Sequence, residues 1–285
     1  MVIATFAFAG MSACIQFASR TLPSAEVVFV RNVLGLVFLL PWLLYRGAFT
    51  ALRTRHPLEH LIRGVAGLAS MYCYFFAIAH LRLADAVVLN YTVPLFFPLI
   101  ESFWLREPMP TKLWWPLLLG FIGIGFVLRP GTELFRPVAL IATAAGMLSA
   151  VAQTGIRRLT LTEPAERIVF IFALISSVIS AVPSAIVWVA PSAALIGLFV
   201  VLGLCATVGQ LTMTRAYAHA PASQVGAFVY ATVIFASVFD WIRTREPPRL
   251  SFVVGALLIC GAGALMLKLV KSAPQRDEND EEPSV

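Results

Sequence analysis

Polar side chains recur at helical spacing inside apolar stretches of this sequence. In the first stretch Thr5, Ala9, Ser12, Gln16 and Ser19 follow one another at alternating intervals of four and three residues, which places them on one helical face. Amide and hydroxyl groups can hydrogen-bond a solute, but alone they lack the activated nucleophile, the base and the metal ligands that catalysis uses. The chemistry that this face predicts is therefore solute binding.

Amides, hydroxyls and aromatic rings also occur within later apolar stretches. An amide is costly to bury in a membrane unless it has a use there, so we expect the amides to line a cavity. For the serines and threonines, helix packing by small side chains is the open alternative. The predicted substrate-binding residues are Ser12, Gln16, Arg31, Tyr74, Asn90, Tyr91, Gln153, Gln210, Thr214 and Tyr230.

Arg31 is the one cation that the sequence places well inside a predicted span, about 12 Å beyond Pro23 along a helix. Three interpretations are open. It could bind a substrate carboxylate, pair with Glu26, or extend to the membrane surface. Glu101 and Asp240 lie near arginines at the span ends. Ion pairs at the membrane edge are expected for these two acids, and a proton relay is the alternative.

The stretch from His56 to His60 spells H-x-x-E-H, which resembles an inverted zinc-protease motif. A zinc site would need both histidines on one helical face and a distant third ligand. The stretch instead contains a proline and lies among arginines, which indicates a solvated loop. We therefore predict no metal site, no cofactor and no enzyme activity.

The composition argues strongly against a water-soluble protein. Hydrophobic residues make up 59% of the chain and charged residues 13%, and the mean hydropathy is +0.86. Soluble domains are about 25% charged. The net charge of +6 comes from basic residues in short loops, which reports membrane topology and not nucleic-acid binding. Spans for a bilayer core of about 30 Å are predicted at 2–19, 24–45, 62–80, 84–105, 113–129, 138–156, 167–189, 192–214, 221–242 and 251–270.

The second half of the chain repeats the first. Residues 77–108 align without a gap on residues 216–247, at a shift of 139 positions, and both stretches end in R-E-P. The pattern S-A-x-x-Q begins at Ser12 and again at Ser149. Self-similarity over this length indicates a duplicated structural unit.

Each half holds five predicted spans, and this odd number makes the second half enter the membrane from the opposite side. The predicted fold class is an all-α polytopic membrane protein, with ten transmembrane helices as two inverted five-helix repeats around a central cavity. The repeats are placed at 1–131 and 132–270, followed by a disordered acidic tail at 271–285. The distribution of Lys and Arg favours two cytoplasmic termini.

Two further features of the spans bear on mechanism and assembly. Pro94 and Pro98 interrupt the fourth span and are predicted hinges, because proline kinks a membrane helix. The fifth and tenth spans carry glycines and hardly any polar side chain, so they should pack closely and stay out of the pathway. They are also the predicted contact if the protein is a homodimer and not a monomer.

Several of these stretches resemble the EamA domain of the drug/metabolite transporter superfamily. The resemblance lies in Pro23 followed by Arg31, in A-x-A-H-L-x-L-A-D-A, in R-E-P, and in the run G-F-I-G-I-G-F-V-L-R-P-G. It covers nearly the whole chain, and it implies a ten-helix basket that works by alternating access. Bacterial proteins of this organisation include exporters of aromatic and other amino acids, and carriers of metabolites such as S-adenosylmethionine.

We therefore expect a transporter of the bacterial inner membrane that exports amino acids, especially aromatic and other large neutral ones. The predicted lining has amides, hydroxyls and aromatic rings with almost no fixed charge, which suits a zwitterion with an apolar side chain. A carrier of another metabolite or drug is the alternative, followed by a channel or a membrane scaffold. The expected partners are a small solute and the lipid bilayer, without nucleic acid.

Overall fold

The computed structural model describes residues 1–46, 53–93, 95–96, 99–100, 111–128, 137–219, 231–246 and 249–271. All regular structure in these ranges is helical, in agreement with the all-α prediction. The α-helices are α1 (Val2–Ala18), α2 (Ser24–Arg46), α3 (Pro57–His80), α4 (Leu83–Asn90), α5 (Trp114–Leu128), α6 (Pro137–Leu159), α7 (Ala165–Ile186), α8 (Ala193–His219), α9 (Ala231–Thr244) and α10 (Leu250–Lys271). A turn of 3₁₀ helix, Thr111–Leu113, precedes α5.

Five of these helices are long and apolar enough to cross a membrane, namely α2, α3, α6, α7 and α8. Shorter apolar helical stretches lie at Val2–Ala18, Trp114–Gly123 and Leu250–Leu265. The predicted total of ten spans stays a prediction. The predicted acidic tail lies outside the described residues, except for Lys271 at the end of α10.

Large apolar side chains cover much of the outer surface. Trp115, Leu44 and Val182 expose 78%, 70% and 67% of their side-chain surface. In water, contiguous apolar surface of this kind would drive association, whereas hydrocarbon solvates it and helices satisfy their own backbone hydrogen bonds there. Together with the five spanning helices, this surface identifies a multi-pass membrane protein.

Extensive contacts join the first five helices to the last five. Helix α1 packs on α8 and α3 on α6, while α2 packs on α7, α4 on α9 and α5 on α10. The pattern is unchanged when each helix is exchanged for the one five places along the chain. A Cβ at Gly123 of α5 would lie 2.9 Å from the carbonyl oxygen of Gly255 in α10. The close α5–α10 packing predicted from the glycines is therefore present, but within one chain.

The fourth span departs from its predicted bounds of 84–105, because α4 ends at Asn90 and Tyr91 and Thr92 form a turn. The sequence supplies a reason, since a proline removes an N–H donor and clashes with the carbonyl four residues earlier. For Pro94 that carbonyl belongs to Asn90. The predicted hinges Pro94 and Pro98 themselves lie outside the described residues.

Gly146 of α6 lies directly against this break in the helix. A Cβ at position 146 would meet the Thr92 Oγ1 atom at 2.7 Å and the Asn90 carbonyl oxygen at 2.8 Å. Next to it, Ser70 of α3 donates a hydrogen bond of 2.8 Å to the carbonyl oxygen of Ala145. Glycine at 146 therefore allows α6 to approach the freed carbonyl groups of α4, while α3 holds α6 from the other side.

Polar contacts bridge the two halves of the chain near both ends of α3. Near its start, His60 Nε2 lies 2.7 Å from Glu163 Oε2, and Thr54 donates a hydrogen bond to the same carboxylate. Just beyond its end, Arg82 Nε lies 3.4 Å from Asp240 Oδ2. The expected ion pairing of Asp240 is therefore observed.

The H-x-x-E-H stretch is not the solvated loop that the sequence suggested. It begins α3, with Pro57 in the first turn, where its missing N–H costs nothing. His60 is only 2% exposed, and Glu59 Oε1 lies 3.3 Å from Arg158 Nη2. The described residues contain no group of three or more His, Cys, Asp or Glu side chains placed to hold a metal ion.

We predict that Glu163→Gln lowers the melting temperature of the purified protein by several degrees at pH 7. Burial by itself would raise the pKa of Glu163, but hydrogen bonds from Thr54 and His60 and the charges of His60 and Arg167 outweigh it, so this pKa is lowered. A lowered carboxyl pKa stabilises the folded state above the unfolded pKa of about 4.3, and the stabilisation is lost as pH falls through the folded pKa. Hydrogen bonds to a charged group contribute about 1.5–3 kcal/mol each.

The measurement is thermal unfolding in detergent between pH 7 and pH 3, with Glu59→Gln as the matched control. The Glu59–Arg158 pair is more exposed, at 24% and 44% of the two side chains, and such pairs contribute about 1 kcal/mol or less. The difference in melting temperature between the unmodified protein and Glu163→Gln should become smaller as the pH is lowered. Equal losses of melting temperature in both variants, or a difference for Glu163→Gln that does not narrow in acid, would contradict the role given to Glu163.

Candidate functional site

A cavity of about 110 Å³ lies among helices from both halves of the chain. A water needs about 10–15 Å³ of this kind of space, so the cavity has room for several waters or for a small solute. Apolar and methionine side chains form much of its wall. Six of the predicted substrate-binding residues line it: Arg31, Tyr74, Asn90, Tyr91, Gln153 and Gln210.

Ser12 supports the cavity from behind. Its hydroxyl donates to the carbonyl oxygen of Phe8 at 2.8 Å, and its Oγ lies 2.9 Å from the Tyr74 hydroxyl oxygen. Because the single Ser12 proton is used on Phe8, the Tyr74 hydroxyl is the donor to Ser12. The helical face of α1 found in the sequence therefore positions a tyrosine of α3.

Gln153 of α6 is held in one orientation. Tyr217 of α8 donates a hydrogen bond of 2.7 Å to Gln153 Oε1, and Gln153 Nε2 donates one of 3.0 Å to Ser149 Oγ. These partners use one lone pair of the amide oxygen and one amide hydrogen, which leaves further hydrogen-bonding capacity. Tyr217, which the sequence analysis missed, fixes this amide at the cavity wall.

Asn90 is the last residue of α4, where the helix breaks. Its side-chain oxygen is buried and has no hydrogen-bond partner among the described residues. Tyr91, at the turn that follows, also lines the cavity. The break thus presents an amide oxygen that can accept a hydrogen bond from a solute ammonium group.

Two buried arginines lie close to one aromatic ring at the cavity. Arg63 of α3 and Arg31 of α2 are 2% and 3% exposed, and their guanidinium carbons lie 3.9 and 5.8 Å from the ring centroid of Phe172 in α7. Arg63 Nη2 donates a hydrogen bond of 3.1 Å to Gln210 Oε1. Arg31 Nη1 donates one of 2.8 Å to Asn32 Oδ1. The site therefore holds two guanidinium groups.

The prediction of a cavity with almost no fixed charge is therefore wrong. The two centroid distances add to 9.7 Å, the largest separation that the guanidinium carbons can have. Like charges at this distance repel by about 1.7 kcal/mol at an effective dielectric constant of 20. The predicted span 62–80 places Arg63 at its very edge, next to the arginines at positions 53 and 55, where a basic residue is expected on topological grounds alone. The signal was Pro57, which starts a helix and so places Arg63 about 9 Å inside it.

The position of Arg31 argues against two of the three interpretations left open for it. Its low exposure excludes an extension of the side chain to the membrane surface. Glu26 Oε2 accepts a hydrogen bond of 3.0 Å from the Val189 backbone N–H. Among the described residues, no carboxylate lies within ion-pair distance of Arg31. Arg31 faces the cavity instead.

Besides Ser12, two of the described residues that were predicted to bind substrate, Gln16 and Thr214, do not line the cavity. Gln16 Nε2 donates a hydrogen bond of 3.3 Å to the carbonyl oxygen of Leu81, beyond the end of α3. Thr214 is fully buried in α8 and does not line the cavity. Tyr230 lies outside the described residues. On the predicted polar face of α1, Thr5 lines the cavity, whereas Ser12 and Gln16 lie further along the helix and do not.

The sequence matches the EamA-like transporter family over residues 1–129 and again over residues 136–268. The chain belongs to the EamA-like transporter family. This confirms the resemblance drawn from Pro23, Arg31 and the repeated R-E-P triplets. The protein is accordingly a member of a family of membrane transporters and not an enzyme.

Curated relatives cover almost the full chain and transport different solutes. The pseudopaline exporter of Pseudomonas aeruginosa is 33% identical over 263 residues, which are 90% of this chain and 91% of the exporter. The S-adenosylmethionine uptake transporter of Rickettsia felis is 25% identical over 92% of this chain and 88% of its own length. The riboflavin transporter of Vibrio cholerae is 27% identical over 98% of this chain and 95% of its own length.

A solved crystal structure shares the fold with a TM-score of 0.69 at 20% sequence identity, covering 96% of this chain and 98% of the other. At this identity the match speaks for the fold alone. The relatives include both an exporter and uptake transporters, so family membership fixes neither the solute nor the direction of transport.

Proposed function

We propose that this protein is a secondary transporter of the bacterial inner membrane that exports amino acids, or metabolites built from them, by alternating access. The observation that carries the proposal is the cavity to which both halves contribute hydrogen-bonding groups. The amides of Asn90 and Gln153 suit the ammonium and carboxylate groups of an amino acid. Phe8, Phe75 and Met71 on the same wall suit an apolar side chain.

The two arginines refine the substrate that the sequence suggested. Large neutral and aromatic amino acids still suit the apolar wall. A guanidinium group, however, favours a carboxylate through two parallel hydrogen bonds, and a neutral molecule without one would leave both charges unmatched. The proposed substrates therefore carry at least one carboxylate. Export is supported by the 33% identity to an exporter.

Alternating access and the inverted repeats belong to the same proposal. The exchange-symmetric helix pairing, with α1 on α8 and α3 on α6, supports two repeats related by a pseudo-twofold axis. The His60–Glu163 contact and the Arg82–Asp240 contact each join the two halves. We propose that one of them opens in each half of the cycle. Cytoplasmic termini remain proposed from the Lys and Arg distribution.

Uptake into liposomes that contain the purified full-length protein tests the proposal. Labelled phenylalanine, methionine, threonine and glutamate are supplied outside, with or without the same unlabelled compound inside. We expect saturable uptake of at least one of them, accelerated by internal substrate, because a carrier returns faster when loaded. Uptake that rises linearly with concentration and ignores internal substrate would indicate a channel and contradict the proposal.

Another metabolite is the second candidate. The relatives that carry S-adenosylmethionine and riboflavin favour this class. Failure of all amino acids in the same liposomes, together with counterflow of one of those two compounds, would replace the amino-acid proposal and keep the carrier mechanism.

A further inference from the structure

Three buried guanidinium nitrogens at the cavity have no hydrogen-bond partner among the described residues. They are Arg31 Nε, Arg63 Nε and Arg63 Nη1. A buried N–H group without an acceptor destabilises the folded state, and a charged one does so more strongly. Groups of this kind persist in folded proteins where water, an ion or a bound solute supplies the acceptor.

The described part of the cavity wall also lacks a negative charge. Its lining includes two arginines and no aspartate or glutamate. The nearest acid along α2, Glu26, is engaged with the Val189 backbone N–H at 3.0 Å. Intramembrane cations are normally paired or placed on a substrate pathway, and the described cavity lining offers these two no carboxylate.

Stacking on Phe172 alone does not explain the two arginines. The ring face attracts a cation, but it accepts no conventional hydrogen bond and carries no net charge. One arginine would suffice for stacking, whereas two bring like charges within 9.7 Å of each other. The arrangement is therefore better suited to binding than to packing.

We propose that Arg31, Arg63 and Gln210 form a subsite for a solute that carries two carboxylate groups. A zwitterion with a single carboxylate would neutralise one guanidinium group. The second guanidinium group would stay unpaired and would be repelled by the ammonium group of the zwitterion. Two carboxylates on one small carbon skeleton reach both guanidinium groups across the Phe172 ring. Gln210 Oε1, at 3.1 Å from Arg63 Nη2, holds that guanidinium in position. The inference rests on the proposed function, because the same cavity must bind the transported solute.

The test compares two ligands that differ by one carboxylate. Phenylsuccinate has the skeleton of 3-phenylpropionate with a second carboxylate, and both carry the ring that the apolar wall accepts. Binding to the full-length protein in detergent is measured by calorimetry at pH 7. We expect phenylsuccinate to bind at least about thirtyfold more tightly. This factor corresponds to the smallest affinity losses measured when one partner of a buried, hydrogen-bonded charge pair is removed. Equal affinities would overturn the proposal without any variant being made.

Three variants locate the effect. Gln210→Glu puts a carboxylate beside Arg63, so it should compete with the ligand and remove most of the preference for phenylsuccinate. Arg63→Gln should also remove the preference, and it should leave the melting temperature unchanged or raise it, because an unmatched buried charge is lost. Arg20→Gln, at an exposed position just beyond the end of α1, is the matched control and should keep the preference.

Retained preference in Gln210→Glu and Arg63→Gln would overturn the subsite. So would a large drop in the melting temperature of Arg63→Gln, since that would mark a structural arginine. Amino-acid counterflow in liposomes separates this inference from the proposed function. Saturable transport with equal binding of the two ligands would leave the carrier standing and remove the subsite, whereas selective binding without amino-acid transport would do the reverse.

Discussion

Gly146→Ala is expected to lower the stability of the protein by about 1–3 kcal/mol, the usual range for overpacking a tightly packed site. The added Cβ would lie 2.8 Å from the Asn90 carbonyl oxygen and 2.7 Å from Thr92 Oγ1. One neighbour is backbone, so it cannot turn aside as a flexible side chain would. Either α6 moves away from α4 or the turn at Tyr91 is displaced, and both responses disturb residues that line the cavity.

The measurement pairs the melting temperature in detergent with the initial rate of counterflow in liposomes. Gly261→Ala in α10 is the matched control, because a Cβ there meets nothing within 4 Å. Alanine in a helix interior is favoured over glycine by up to about 1 kcal/mol, so this control should be neutral or slightly stabilising. Similar behaviour of the two variants would show that α6 does not depend on glycine at the break in α4.

Gln210→Leu is expected to reduce transport by about tenfold to a hundredfold, while Gln16→Leu changes it by no more than about twofold. The two residues are of one type and both lie on polar faces predicted to bind solute. Gln210 holds the Arg63 guanidinium at the cavity, whereas Gln16 contacts the backbone of Leu81 beyond the end of α3. Loss of the Gln210 acceptor would leave a further guanidinium N–H unsatisfied and free to turn.

Counterflow rates are compared at equal amounts of folded protein, judged by gel filtration and melting temperature. An equal loss in both variants would argue that position along the helix, and not contact with Arg63, decides the effect. An undiminished rate for Gln210→Leu would remove this residue from the site. The comparison therefore tests the structure against the sequence pattern: the structure places only Gln210 at the cavity, whereas the sequence pattern predicts that both glutamines bind substrate.

In the proposed alternating-access cycle, the polar contacts near the two ends of α3 are the ones that would open in turn. Opening one end of the cavity would require the contact between the halves at that end to break. Water that then solvates the separated groups would offset part of the free energy lost with the contact. The His60–Glu163 pair is buried, while the Arg82–Asp240 pair has an arginine that is 22% exposed. The second contact is therefore nearer to water and easier to replace by hydration.

The sequence by itself determined the class of protein and much of its layout. Hydropathy and the positions of the charges are read directly from the sequence. Most described helix ends lie within about three residues of the predicted span bounds; the exceptions are the start of α3, the end of α4, the end of α8 and the start of α9, which follows residues outside the described ranges. The repeat at a shift of 139 positions is also a property of the sequence. The family motifs, such as the R-E-P triplets, depend on short local strings. All of these signals are local or periodic, so a linear reading recovers them.

Only some of the predicted binding residues line the cavity, because helical periodicity shows on which face a residue lies but not at which level along the helix the cavity is found. Tyr74, Asn90, Gln153 and Gln210 reach the cavity, while Gln16 lies beyond it, although it shares a face with Ser12. The sequence could show that these groups point inward. It could not show at which level of the bundle the helices leave a gap.

Tertiary structure alone decided the charge of the site. Arg63 looked like one of several loop arginines, and only the packing of α3 against α6 and α7 places it on Phe172, 3.9 Å from the ring centroid. Its partner Gln210 is 147 residues away in the chain. Contacts over such distances depend on how helices cross, and no periodicity within a single helix encodes that. The two buried arginines are therefore the feature that the fold, and not the sequence pattern, assigns to this transporter.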